Sequence, residues 1–323
     1  MQSRSTEHPD IWHRHAVRRG LGAAMLAAII QFGGGALALA GPNEAGDKAL
    51  AAGDCFHALA YYRMAADKND AWGQLNVGKL YEAGNCVKQD YKEAAKWYKW
   101  SAGKNNSWAQ YSLGLLYESG KGVPQDDKKA AELFAKSAAQ DNPWGVYSLA
   151  RVLEAGKGVA ADPVASLKDY EKAAELGNAW AQYTLGDKYF EGKSVPKDIK
   201  KAAQFYQKAA DQGNAWSQFK LAQMYLSGQG VKKNAKTAAT LLKASADQGN
   251  ALAQASYASL LESGNGVKAS RKEALRYYQL AAAQPGAPAY VKARIKALGA
   301  PAPKQQEQAK APAPTPAAAP AAQ

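Results

Sequence analysis

Histidine and cysteine are nearly missing from this chain. Of 323 residues only four are His and two are Cys. His8, His13 and His15 fall within the first forty residues, which leaves His57 alone in the body of the sequence. One imidazole supports neither a His-based metal cluster nor a Ser–His pair, so two common routes to hydrolytic chemistry are closed. Ser-x-x-Lys occurs at Ser101–Lys104, Ser194–Lys197 and Ser217–Lys220. With 41 basic residues such matches arise by chance, and the partner Lys-Thr-Gly is absent because Lys236-Thr237 is followed by Ala238. The recurring carboxylates Glu82, Glu118, Glu154 and Glu262 have no second acid set against them and read as solvated helix-end charges. The expectation is a non-enzymatic protein with no metal and no cofactor.

Long apolar runs are also scarce. The one candidate is Gly20–Ala40, behind Arg14, Arg18 and Arg19 and ending in Ala38-Leu39-Ala40 before Gly41. A basic start, an apolar centre and a small-x-small end are the marks of an export signal over residues 1–40, cleaved after Ala40. An uncleaved membrane anchor is the alternative, since the stretch is long enough to span a bilayer. Gln31 and Gly33–Gly35 argue against it. Arg18-Arg19 leaves open Sec or twin-arginine export. At the other end, residues 299–323 are Ala/Pro-rich with almost nothing large and apolar to bury, and are expected as a disordered tail. The chain carries +13; without four Arg, Glu7 and Asp10 it keeps 37 basic against 26 acidic residues, a net +11.

Between these ends one phrase returns every 36 residues. Trp72, Trp108, Trp144, Trp180 and Trp216 are evenly spaced, with Leu252 sixth. A period of this size marks a solenoid of supersecondary units. In Ala179–Asn214, Gln182, Leu185, Gly186 and Tyr189 make one helical stripe and Gly192 ends that helix. Asp198 caps a second helix whose inner side holds Ala202, Tyr206 and Ala209, and Gly213-Asn214 closes it with residues that tolerate a left-handed turn. The cap place reads Asp90, Asp126, Asp162, Asp198, Asn234 and Ser270, while small residues at 78, 114, 150, 186, 222 and 258 allow close helix approach. The predicted fold is an all-α, right-handed superhelical solenoid of helix-turn-helix repeats. About six full repeats plus capping helices fill residues 54–298, after an N-terminal linker at 41–53.

Three elements carry a resemblance. They are Ala-x-Ala-Gln-x-x-Leu-Gly-x-x-Tyr-x-x-Gly (Ala179 to Gly192), Gly-x-Gly-Val with Asp three residues on (Gly120 to Asp126), and Lys-x-Ala-x-x-Trp-Tyr (Lys92 to Tyr98). Together they resemble the Sel1-like repeat, a relative of the tetratricopeptide repeat. Ser194 and Cys86 depart from it by replacing the second loop glycine. The resemblance implies a periplasmic or secreted scaffold that assembles other proteins. The equivalents of the Trp positions in tetratricopeptide proteins line a concave peptide-binding groove.

That correspondence makes Trp72, Trp108, Trp144, Trp180 and Trp216, with Tyr111, Tyr147, Tyr183 and Phe219 three residues on, a candidate double ladder for a protein partner. Envelope polysaccharide or peptidoglycan is the alternative ligand, and a spine that merely stacks the repeats is the bland one. If the ladder binds, Trp144→Ala and Trp180→Ala should each unfold within about 1 kcal/mol of wild type. Lys197, Lys200, Lys201, Lys232, Lys233 and Lys236 form a candidate basic edge for an acidic surface; an exported chain is not expected to meet nucleic acid. Cys55 and Cys86, one repeat apart, are expected as a disulfide worth about 3–4 kcal/mol. The sequence leaves the oligomeric state open. Intact-mass measurement of the exported protein should find Gly41 at the N-terminus; a mass that keeps residues 1–40 removes the cleavage.

Overall fold

A computed structural model describes residues 41–284 and 286–299; the export signal and the Ala/Pro-rich tail lie outside them. Among the described residues there are fifteen helices and no strand. In order they are α1 (Pro42–Ala51), α2 (Cys55–Asp67), α3 (Ala71–Ala83), α4 (Tyr91–Gly103), α5 (Ser107–Ser119), α6 (Asp127–Ala138), α7 (Pro143–Ala155), α8 (Pro163–Glu175), α9 (Ala179–Glu191), α10 (Ile199–Asp211), α11 (Ala215–Ser227), α12 (Ala235–Asp247), α13 (Ala251–Ser263), α14 (Arg271–Ala282) and α15 (Tyr290–Gly299). They fall into two units, one through Ser217 with Gln229–Val231, the other from Gln218–Gly228 and Lys232 onwards.

Each repeat closes in the same way. First helices end on a left-handed glycine, with φ of 68° at Gly84 and 74° at Gly192. Second helices open on Asp90, Asp126, Asp162, Asp198, Asn234 or Ser270, whose side chain accepts from amides of the first turn. The rings of Tyr98, Phe134 and Tyr206 then bury against the first helix where it has glycine. A Cβ on Gly78, Gly114 or Gly186 would stand 2.6 Å from the facing ring. In the second unit Ala222 and Ala258 take the small position, in a core with Leu242, Tyr257 and Tyr278.

The Gly-Asn phrase works differently from the expectation. Gly177 and Gly213 alone carry the left-handed turn, at φ of 87° and 83°. Asn178 and Asn214 belong to the next helix, where their side-chain oxygens accept from the amides of Ala181 and Ser217. Both are buried.

The linker expected at 41–53 is instead α1, packed on α2, so α2 is the second half of a pair and not a lone cap. Gly46 lies under Tyr62 as Gly78 lies under Tyr98. The Tyr62 hydroxyl donates to Asp47 (2.6 Å), as the Tyr206 hydroxyl does to Asp187 (2.5 Å). The turn between α1 and α2 is four residues shorter than later ones. That deletion throws α1 out of the 36-residue phase, so no constant shift aligns it.

Cys55 and Cys86 form the expected disulfide, with Cα atoms 4.7 Å apart. Elsewhere the same place is a backbone contact. A Cβ on Gly122 would lie 2.2 Å from the Tyr91 carbonyl oxygen, and one on Gly158 2.1 Å from that of Asp127. Each loop therefore reaches back to the start of the preceding second helix. At the first such joint two cysteines replace the glycine contact, and Cys86 keeps the left-handed backbone, φ 64°. Thiol labelling of denatured, unreduced protein should find no free cysteine. Reduction should cost about 3–4 kcal/mol and speed amide exchange in α1–α3 while α7–α10 stay protected. Full labelling of both thiols would overturn the bridge.

Candidate functional site

The five tryptophans sit in the first turn of successive first helices, at α3, α5, α7, α9 and α11. Trp72 is 50% exposed, and Trp108, Trp144, Trp180 and Trp216 are half-buried. Each central indole meets the ring three residues on, the helical neighbour distance. Trp108–Tyr111, Trp144–Tyr147 and Trp180–Tyr183 are edge-to-face at 6.5, 6.3 and 5.8 Å. Those tyrosines in turn lie on the second-helix rings. Tyr111 meets Phe134 at 6.2 Å, Tyr147 meets Tyr170 at 5.9 Å and Tyr183 meets Tyr206 at 6.0 Å.

The double ladder therefore has depth. Tyr111, 5% exposed, is core, as is Phe219 in the second unit, while Tyr147 and Tyr183 are half-buried. These residues back the indoles and do not form a second outer row. Burial also raises the phenol pKa of both Tyr111 and Tyr147. One indole is shared between repeats: Trp144 lies 6.1 Å from Tyr111.

The first-helix carboxylates are more than solvated ends: Glu118 is buried, and even the exposed Glu154 is bonded to other helices. Glu82 accepts from the Tyr98 hydroxyl, and Glu154 from that of Tyr170 at 2.8 Å. Lys188, on α9, donates to Glu154 on α7 at 2.5 Å. Phe134 has no hydroxyl to offer Glu118, and Arg151 of the following repeat supplies the donor at 2.7 Å. The Glu118 side chain is 3% exposed. Glu262 of the second unit pairs with Arg294 and Tyr278. These groups are struts between helices, missed in the sequence because Arg151 aligns with Asp187 and Lys188 with Val152 across one period.

The basic edge divides between the units. In the first, Lys197 and Lys200 are exposed beside a hollow of about 660 Å³, shared with Tyr189, Ile199 and Gly230. Lys201 is engaged, its ammonium donating to the Tyr189 hydroxyl at 2.6 Å. Lys232, Lys233 and Lys236 are exposed in the second. Among the described residues no group of three or more His, Cys, Asp or Glu can hold a metal, and no helix is long and apolar enough to cross a membrane.

Truncating a strut leaves a charge buried and alone. Arg151→Ala should cost about 3–5 kcal/mol in urea unfolding. Arg151→Met combined with Glu118→Gln should cost clearly less, because no carboxylate is then stranded. Equal costs for the two variants would show that packing and not charge pairing holds this joint.

The Sel1 repeat model matches residues 43–70, 73–106, 109–142, 145–178, 181–214, 217–250 and 251–285. The first match includes α1, in agreement with the structure. A Sel1 repeat protein from Oxalobacter formigenes is 32% identical, with a TM-score of 0.67 over 73% of this chain and 97% of its own. The antigen c5321 of uropathogenic Escherichia coli, described as protective and as having an SLR fold, is 33% identical with a TM-score of 0.61 over 75% of this chain. The match spans about half of that antigen, 52% of its length. No curated protein sequence matches. Seven matched repeats, with the helix pairing and capping seen above, place this chain in the Sel1 repeat family.

Proposed function

We propose that this protein is an exported, non-enzymatic scaffold that holds a segment of another protein along its first-helix face. Sel1-repeat proteins are generally protein-interaction scaffolds. The observation that carries the specific reading is the indole row. Tryptophans stand half-exposed in the same turn of consecutive first helices, and the three central ones are each seated on a tyrosine. A stiff aromatic with one edge in solvent gives large contact area at little entropic cost, which is why such residues dominate interface energetics. Export is supported by the residues of 1–40 and by the Cys55–Cys86 bridge, a bond that persists in oxidising compartments.

The ladder does not contribute equally along its length. Trp180 contacts chiefly its own Tyr183, so Trp180→Ala should cost about 1 kcal/mol or less. Trp144 also meets Tyr111 of the preceding repeat, and Trp144→Ala should cost about 1–3 kcal/mol, more than the sequence alone suggested. Both should lose the proteins that the immobilised wild-type chain retains from an envelope extract. Retention that follows added glycan and not protein would favour the polysaccharide reading. Several kcal/mol lost at both positions, with retention unchanged, would make the row a stacking spine.

A further inference from the structure

A second aromatic feature stands apart from the indole row. Trp100, on α4, is 55% exposed, and its ring lies edge-to-face with Trp97 at 4.8 Å. The places equivalent to Trp100 hold Lys136, Lys172, Lys208, Ala244 and Leu280, so the repeat itself does not ask for an indole there. The two rings line a hollow of about 610 Å³ with Asp67, Asn69, Gln74 and Lys104.

Gln74 gives this hollow a chemical demand. In three later repeats the equivalent glutamine is clasped by another thirty residues on, whereas the Gln254 oxygen, like that of Gln74, has no partner. Gln140 donates to the Gln110 side-chain oxygen at 2.7 Å, Gln212 to Gln182 at 2.8 Å and Gln248 to Gln218 at 2.9 Å. In the Trp100 repeat the donor's place is taken by Lys104, which is exposed. Gln74 is only 5% exposed, and its side-chain oxygen has no hydrogen-bond partner. A buried acceptor left without a donor is costly, so a ligand that supplies one gains more than an ordinary surface contact.

We propose that this hollow is a carbohydrate subsite, distinct from the indole row, in which one sugar ring stacks on Trp100 and the Gln74 side chain, whose oxygen is sealed from solvent in this structure, turns outward to accept from a hydroxyl. A sugar presents an apolar C–H face and several hydroxyls within one small ring. That combination fits an indole platform set beside acceptors on Gln74, Asn69 and Asp67 and the ammonium of Lys104. An extended peptide offers one N–H per residue, and a proline-rich one fewer, so it answers the orphan acceptor less well. Two substitutions in the same chain, with different grounds, are diagnostic. Trp100→Lys installs the residue that three sibling repeats carry. Lys104→Gln restores the clasp and gives the Gln74 oxygen its internal donor.

Full-length, isotopically labelled protein would be titrated with triacetylchitotriose and, separately, with maltotetraose while the indole N–H signals are followed by NMR. At least one probe should shift the Trp97 and Trp100 signals saturably. Trp100→Lys should weaken that binding at least about tenfold, and Lys104→Gln should weaken it measurably, with the thermal midpoint of both variants kept. Because the indole row is untouched, retention of protein partners by Trp100→Lys should equal wild type, which separates this site from the scaffold reading. Unmoved indole signals with both sugars, or equal affinity in Trp100→Lys, would overturn the proposal. So would signals that move with a peptide of residues 305–323 and not with sugar, which would assign the hollow to proline-rich chain.

Discussion

Every helix pair in the first unit rests on an aromatic or similarly large side chain from the second helix reaching a first-helix position with little or no side chain. Where that position is Gly78, Gly114 or Gly186 there is no room for even a methyl group. The contact fixes how closely two helices approach, and close approach fixes the rest. Tyr111, Tyr147 and Tyr183 find the same rings from the other side, and the indoles of Trp108, Trp144 and Trp180 rest on those tyrosines. An indole held two tiers above a glycine has little freedom left to lose when a partner arrives, which is the basis of preorganised binding.

The same ring also sets the polar design. Where it is tyrosine, its hydroxyl emerges beside a carboxylate of the first helix, as at Tyr98–Glu82 and Tyr170–Glu154. Where it is Phe134, the buried Glu118 turns to Arg151 in the following repeat. Glu118 is thus held from the following repeat without a ring hydroxyl, whereas Glu154 is held both by Tyr170 of its own repeat and by Lys188 of the next. Neighbouring repeats are joined by such bonds on the first-helix side and by the glutamine clasps elsewhere.

What the sequence discloses follows from what a fixed period can express. Capping residues, loop glycines and small contact positions each act at one place per repeat, so a 36-residue shift exposes them. Features that break the period are hidden from the same method. The short turn before α2 displaced α1 and made a helix look like a linker. Arg151 and Lys188 serve similar ends from places one residue apart in the period. The Gly-Asn phrase was visible but ambiguous, because asparagine suits both a left-handed turn and a helix cap; burial and the bond to Ala181 decide for the cap. Trp100 carried the opposite signal. It stands at a place where the next three repeats carry lysine, and only the structure shows that it coincides with a lost glutamine clasp.

The short turn between α1 and α2 leaves the first helix pair without a contact that later turns make. Each later loop extends a finger onto the start of the preceding second helix, through glycine at Gly122, Gly158, Gly230 and Gly266 and through sulfur at Cys86. A turn four residues shorter has no finger. The four-residue deletion therefore leaves α1 held by its packing on α2 and not by a loop contact of the kind that Gly122 or Gly158 makes.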